Sequence, residues 1–262
     1  WHGKPLMADE LVRALEEIGK PPVIDARELI RRPKPFRRPK AVGAAFEFPR
    51  TVYTEKTATR LAYGNALLGL GTVNPSVVAI DGDVKNSTYA GKFFEAFPDR
   101  SFQGYIAEQN MVGMGMGLAA KGYVPFIATF AAFLTRAHDQ VRMAAYSFSN
   151  LKFCGSHVGV SIGEDGPSQM GLEDLALFRP VPGCIVLYPS DGVSAEACVE
   201  AMAAHRGMAY LRTTRPATPI LYPAAETFPV GGSKVLRKRA GDAVTVVAAG
   251  ITVHEALKAH LE

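Results

Sequence analysis

The sequence predicts an α/β fold: a doubly wound, mostly parallel sheet with helices on both faces. Three observations point there. From about residue 57 to residue 213, short apolar runs alternate with amphipathic helical stretches, the pattern of repeated βαβ units. The segments that follow the predicted strands are polar and bracketed by glycine, and a sheet of this kind places its ligand outside the carboxyl ends of its strands. The composition, 48% hydrophobic and 21% charged over 262 residues, suits a chain with a sizeable core.

The elements follow in order. Residues 1–20 predict one amphipathic helix, with Asp9 and Glu10 near its start, Leu11, Leu15 and Ile18 on one stripe, and Gly19 after it. Residues 21–56 form a linker rich in Pro, Arg and Lys. The main domain, residues 57–223, opens with a helix over 57–71 and a strand over 76–83. A helix over 91–97, a strand over 101–107, a helix over 108–122 and a strand over 123–130 come next. A single long helix is predicted over 131–148, followed by a Gly-rich stretch, a strand over 184–189, a helix over 194–205 and a strand over 208–213. Residues 224–232 make a second linker. Beyond it, AVTVVAAGITVHEALKAHLE predicts one strand and one helix. A lone βα pair cannot bury both its faces, so residues 233–262 are expected to begin a further, truncated domain. The missing initiator Met leads to the expectation that the chain starts inside a longer protein or after cleavage.

Charge and cysteine usage narrow the class. The formal charge of +4 is local, because Arg31–Lys40 holds six basic residues and no acid. The remainder has 23 basic and 25 acidic residues, so no nucleic-acid partner is expected. The most apolar run, Gly122–Leu134, is shorter than the ~20 residues a membrane span needs and contains Pro125, so no membrane association is expected either. Cys154, Cys184 and Cys198, odd in number and widely spaced, read as buried thiols of a reducing compartment. With no secretory signal, a cytoplasmic location is expected.

The strand-end segments are IDGDVKNST (80–88), YIAEQNM (105–111), TFAAFLTRAHDQ (129–140), CGSHVGVSIGEDGPSQM (154–170), YPSDG (188–192) and RTTRP (212–216). Each has a structural alternative. Asp81 and Asp83 suit helix caps, and Glu108 suits any helix start by its charge. Phe130 and Phe133, three apart, suit a core, while residues 164–167 suit an ordinary turn. His157 in its Gly-rich loop suits either role, and Arg212 and Arg215 suit surface pairs or an anion site. No P-loop, GxGxxG or HExxH pattern occurs. Together the segments favour a small-molecule site.

In order and wording, these segments resemble the pyrimidine-binding domain of transketolase, from about Ala58 to Pro216. WHGKPL at the start resembles the end of that family's diphosphate-binding domain, and VTVVAAGITVHEAL resembles the start of its C-terminal domain. GEDGPSQM has Gln169 where many microbial members have His, which is the animal-type wording.

The resemblance implies a thiamine-diphosphate enzyme that transfers a two-carbon ketol unit from a ketose phosphate to an aldose phosphate. Xylulose 5-phosphate, ribose 5-phosphate and erythrose 4-phosphate are the implied sugars. Glu108 matches the glutamate that bonds the pyrimidine N1′ and promotes the imino tautomer. Phe133 matches the ring that stacks on the pyrimidine, Phe130 walls the same pocket, and Gln169 matches a cofactor-side glutamine. His157 matches a donor to the developing alkoxide, and Asp165 a residue that recognises a donor hydroxyl. Ser87 and Arg215 match phosphate-holding positions, and His2 matches a histidine close to cofactor and reacting carbon. A further phosphate-binding arginine is expected from the linker, with Arg50, Arg37 and Arg38 as candidates. Mg²⁺ (or Ca²⁺) is implied, with ligands outside this chain; IDGD at 80–83 belongs to the pyrimidine side. A homodimer with its site shared between subunits is also implied. Alternatives are a catalytically silent transketolase-like regulatory subunit, a deoxyxylulose-phosphate synthase, or the β chain of an oxoacid dehydrogenase.

Overall fold

Eight strands occur in the computed structural model, which describes residues 6–19 and 46–261. They are β1 (Thr57–Ala58), β2 (Val77–Asp81), β3 (Ser101–Gln103), β4 (Val124–Phe130), β5 (Lys152–Ser156), β6 (Ile185–Leu187), β7 (Ala209–Arg212) and β8 (Ala217–Thr218). Six of them form one sheet in the order β3-β2-β4-β5-β7-β6, every neighbouring pair parallel. The chain divides into two units, 1–37 and 38–262. In the first, the predicted helix forms over Ala8–Ile18, and the Glu10 carboxylate accepts the Met7 N–H at 3.0 Å. Its Leu11, Leu15 and Ile18 side chains are exposed.

The sheet carries helices on both faces, as predicted. Val77, Ala79, Phe126, Ala128, Cys154 and Leu211 pack with Tyr63, Leu67 and Leu70 of helix Thr59–Val73 and Val199 and Met202 of helix Gly192–Ala204. The intervening strand residues Ile80, Ile127, Phe153 and Tyr210 pack with Met111 of helix Glu108–Ala120 and Val141 of helix His138–Tyr146. Because both faces are covered, β2 and β4 are buried throughout rather than at alternate residues. From β2 the chain first adds β3 on one side and then returns to place β4 on the other. This reversal puts the topological switch point at the carboxyl ends of β2 and β4.

Several elements depart from expectation. Strand β5 has no β-branched residue and starts with a lysine, so periodicity misses it, yet it lies between β4 and β7. Its buried Lys152 Nζ donates to Asn150 Oδ1 (2.8 Å), Gly207 O (2.7 Å) and His205 O (2.5 Å), which compensates the burial of its polar head. The expected strand 101–107 stops at Gln103, where the Gly104 N–H turns to bond Asp81 O. A Cβ on Gly104 would meet Met111 Cγ at 2.2 Å. The expected helix 131–148 is split into a 3-10 turn, Phe133–Ala137, and the helix His138–Tyr146. The Ala131 N–H still bonds Ser156 O beside the sheet, which delays the helix. The strand expected within 243–249 does not form: Val244, Val246 and Val247 are exposed, and among the described residues no strand pairs with it. A strand without a neighbour has no ladder to hold it. The helix that follows does form, over Thr252–Ala259.

Residues 46–56 cross the domain as a strap. Tyr53 Oη donates to the buried Glu196 at 2.6 Å and the Thr51 N–H to the same carboxylate at 2.8 Å. No helix among the described residues is long and apolar enough to cross a membrane.

Candidate active site

The carboxyl ends of β2, β4, β5 and β7 deliver Asp81, Phe130, His157 and Arg215 to one edge of the sheet, and helix Glu108–Ala120 brings Glu108 after β3. Backbone strain collects here. Asp83 (φ 68°), Tyr89 (φ 61°), Tyr105 (φ 52°) and His157 (φ 61°) are left-handed without being glycine, each at a cost on the order of 1 kcal/mol. Gly64 lets the Tyr89 backbone approach, since a Cβ there would lie 2.5 Å from Tyr89 O.

Glu108 is the first residue of its helix and is 3% exposed. Its Oε2 lies 3.3 Å from Arg136 Nη1 and accepts no hydrogen bond. A buried carboxylate oxygen left this way is costly unless a donor arrives from elsewhere. Nearby on the chain, the Phe130 ring stacks on both Phe133 (centroids 5.1 Å apart) and His157 (3.9 Å), a continuous aromatic shelf.

His157 is buried, and its Nδ1 pairs with Ser156 Oγ at 2.9 Å. Burial, then the charges of Arg60 and Arg215, push its pKa down to about 4, so the ring is neutral at pH 7. Asp81 is fully buried, and burial pushes its pKa up to about 6. Its two oxygens accept the Val84 N–H (2.7 Å) and the Thr88 hydroxyl (2.8 Å), which fixes the turn carrying Ser87. The two groups have opposite pH signatures. His157, depressed in the fold, stabilises above pH 6.5 and loses that contribution as pH falls toward 4; Asp81, raised in the fold, adds stability as pH falls through 6. Between pH 7 and 5 we expect the His157 loss, about 2 kcal/mol, to be partly offset by the Asp81 gain, about 1 kcal/mol. Urea midpoints at the two pH values should therefore rise on acidification in His157→Gln and fall more steeply than wild type in Asp81→Asn. Equal slopes in all three proteins would contradict both assignments.

Arg215 uses its fork inside the loop 162–165: Nη1 donates to Asp165 Oδ2 (2.7 Å) and to Ile162 O, and Nη2 to Glu164 Oε1 (2.7 Å). Half-buried Arg60 donates from Nη1 to Ser87 O at 2.9 Å, while its buried Nε has no partner. Burial lowers the Arg60 pKa, and repulsion from Arg215 adds to the effect. Arg60, Arg215, Ser87, His157 and Asp165 thus make one polar cluster suited to an anion. Arg60 was absent from the sequence-based candidates. The available signal was a cation in the first turn of a helix, where the macrodipole disfavours it.

The remaining candidates divide. Arg50 is not a partner of this cluster: its guanidinium pairs with Glu200 and donates to Glu226 O at 3.0 Å. Gln169 is half-buried at the end of a 3-10 turn, Pro167–Gln169, and Ser87 is half-buried in the short helix Lys85–Thr88. His2, Arg37 and Arg38 lie outside the described residues. Two strand-end residues are structural. Asp191 of YPSDG caps helix Gly192–Ala204 through the Ser194 N–H (2.8 Å) and also accepts the Leu221 N–H (2.8 Å). Arg212 of RTTRP is buried in an ion pair with Asp174 at 2.6 Å. Among the described residues no group of three His, Cys, Asp or Glu is placed to hold a metal ion.

Comparison with known proteins agrees with this fold. Residues 55–220 match the family described as transketolase, pyrimidine binding domain. The chain is 49% identical over 264 residues to a transketolase of Homo sapiens, covering 99% of this chain and 42% of that protein. It is 45% identical over 267 residues to transketolase-like protein 1 of Bos taurus, covering 99% and 44%. The chain therefore spans about two fifths of the length of these curated relatives. A solved split gene transketolase, described as an inactive beta4 tetramer, superposes with a TM-score of 0.70 at 39% identity, covering 78% of this chain and 66% of that one. A transketolase of Pichia stipitis solved in complex with sedoheptulose 7-phosphate gives 0.60 at 26% identity, covering 65% and 28%. With an α/β sheet of parallel strands and matches of this extent, the chain belongs to the transketolase pyrimidine-binding domain family.

Proposed function

We propose that this chain supplies the pyrimidine-side part of a transketolase active site, transferring a two-carbon ketol unit from xylulose 5-phosphate to ribose 5-phosphate or erythrose 4-phosphate. The observation that carries the reading is the Glu108 carboxylate, buried and with one oxygen lacking a hydrogen-bond donor. Thiamine diphosphate fits there, because its protonated pyrimidine nitrogen is the donor that the orphaned oxygen lacks and its flat ring suits the Phe130–Phe133 shelf. When bound, that cofactor supplies a nucleophilic carbon for ketol transfer.

The chain's own residues do the rest. Glu108 shares a proton with the pyrimidine N1′. Phe133, backed by Phe130, orients the ring, and Gln169 lies on the cofactor side. Neutral His157 donates a hydrogen bond where negative charge grows on the substrate oxygen, without losing that capacity near pH 7. Asp165 accepts from a donor hydroxyl, while Arg215, Arg60 and Ser87 receive the phosphate. Mg²⁺ would be held by the complementary diphosphate-binding domain, the assembly would be a homodimer sharing its sites, and the compartment would be the cytoplasm.

The test is ketol transfer from xylulose 5-phosphate to ribose 5-phosphate with thiamine diphosphate and Mg²⁺, run on the chain alone and with a diphosphate-binding transketolase segment. Activity is expected in the mixture. Arg215→Ala should raise KM for ribose 5-phosphate about tenfold or more and leave a non-phosphorylated acceptor unchanged. A folded mixture that binds the cofactor but transfers no ketol unit would overturn the proposal.

A further inference from the structure

We propose that Glu164 is a built-in competitor of the substrate phosphate: it occupies Arg215 Nη2 in the free protein and must leave before a phosphate can take the full guanidinium fork. The inference rests on the phosphate-site reading above. It deepens that reading by assigning a specificity-setting role to Glu164.

The two carboxylates on Arg215 are not equivalent. Asp165 is 31% exposed by its side chain and shares Nη1 with Ile162 O, so that edge of the guanidinium is held from two directions. Glu164 is 79% exposed and touches Nη2 alone, at 2.7 Å. An ion pair that open to water contributes little, so a ligand of higher charge displaces it at small cost. Asp165 therefore orients the fork, and Glu164 covers its free edge.

The local backbone suits such a movement. Glu164 lies in a 3-10 turn, Gly163–Asp165, bounded by Gly163 (φ 80°) and Gly166 (φ 75°). A Cβ at either glycine would meet nothing within 4 Å, so the turn is not wedged against the domain. A phosphate carries nearly twice the charge of the carboxylate and presents more acceptor oxygens to Arg215 and to the unpartnered Arg60 Nε. A ligand without a phosphate has nothing to exchange for the Glu164 contact and leaves it in place. Glu164 thereby lowers the affinity of an anion that must take the fork, and leaves a neutral sugar that does not use it unaffected.

The test uses the full 262-residue chain as wild type, Glu164→Gln and Arg215→Ala, titrated with ribose 5-phosphate, ribose and inorganic phosphate, with amide NMR shifts of the 163–166 turn as the readout. We expect Glu164→Gln to bind ribose 5-phosphate and inorganic phosphate about two- to fivefold more tightly than wild type, and ribose no differently. In wild type the Glu164 amide should shift as phosphate binds. Unchanged or weaker phosphate binding in Glu164→Gln, together with lost binding in Arg215→Ala, would make Glu164 a support for the fork and overturn the proposal while sparing the phosphate site. Binding that neither variant alters would overturn both.

Discussion

Replacing Glu108 by Gln in the assembled enzyme is expected to lower ketol transfer by about 10²–10⁴-fold, the usual range for a proton-handling group at a reacting centre. The substitution keeps size and one carbonyl acceptor, and it removes a charge that is 3% exposed, 3.3 Å from Arg136 Nη1 and otherwise without a donor on one oxygen. Stability should therefore be unchanged or rise, because a buried, poorly paired carboxylate is expensive. Arg136, 59% exposed, remains solvated once its partner is neutral. This divergence is the diagnostic: a positioning defect would lower activity and stability together, whereas loss of a proton-sharing carboxyl lowers activity alone. Turnover and urea midpoint measured on the same preparation check it. Turnover within about threefold of wild type would remove Glu108 from the proton relay.

The sheet and the site were legible in the sequence to different depths. Covered on both faces, β2 and β4 are buried throughout and apolar apart from Asp81 and Thr129, and the polar segments after the strands mark their carboxyl ends, so the candidate edge was readable from periodicity. Glu108, Phe130, Phe133 and His157 were singled out by the resemblance of their motifs to a known family, since read alone each of them suited a structural role. Strand β5 was not readable, because its fitness for the sheet comes from partners distant in sequence. Lys152 is acceptable there only with His205 O and Gly207 O to receive it, and Gly155 only because the Tyr210 hydroxyl would lie 2.2 Å from a Cβ. The same reason hid Arg60: its helix-start position is a weak local signal, and its meaning depends on Ser87 and Arg215 arriving from other loops. Arg50 erred in the opposite direction, since a linker arginine near a predicted anion site looks suitable until Glu200 is seen to hold it.

Arg212→Ala is expected to destabilise the domain by about 3–5 kcal/mol, the cost of stranding a buried charge. Asp174 is 1% exposed and accepts from Arg212 Nε (2.6 Å), Arg212 Nη2 (3.1 Å) and Tyr210 Oη (2.6 Å). Without the guanidinium, the carboxylate keeps only the tyrosine hydroxyl, and the cation stacked 4.3 Å over the Tyr188 ring is lost as well. The charge and the cavity can be separated by a second pair of variants. Arg212→Met fills the space but leaves Asp174 unpaired, whereas the double change Arg212→Met with Asp174→Leu removes both charges and should recover much of the loss. Urea midpoints of the three variants decide between the two causes: a double variant no more stable than Arg212→Met would mean that packing, not the stranded carboxylate, sets the cost. The effect should also reach the site. Arg212 ends β7, the next residue's carbonyl accepts the Val158 N–H, and Arg215 follows three residues on, so slack in β7 displaces both the His157 loop and the Arg215 fork. Ribose 5-phosphate affinity should therefore fall in Arg212→Met and return in the double variant, in step with the midpoints.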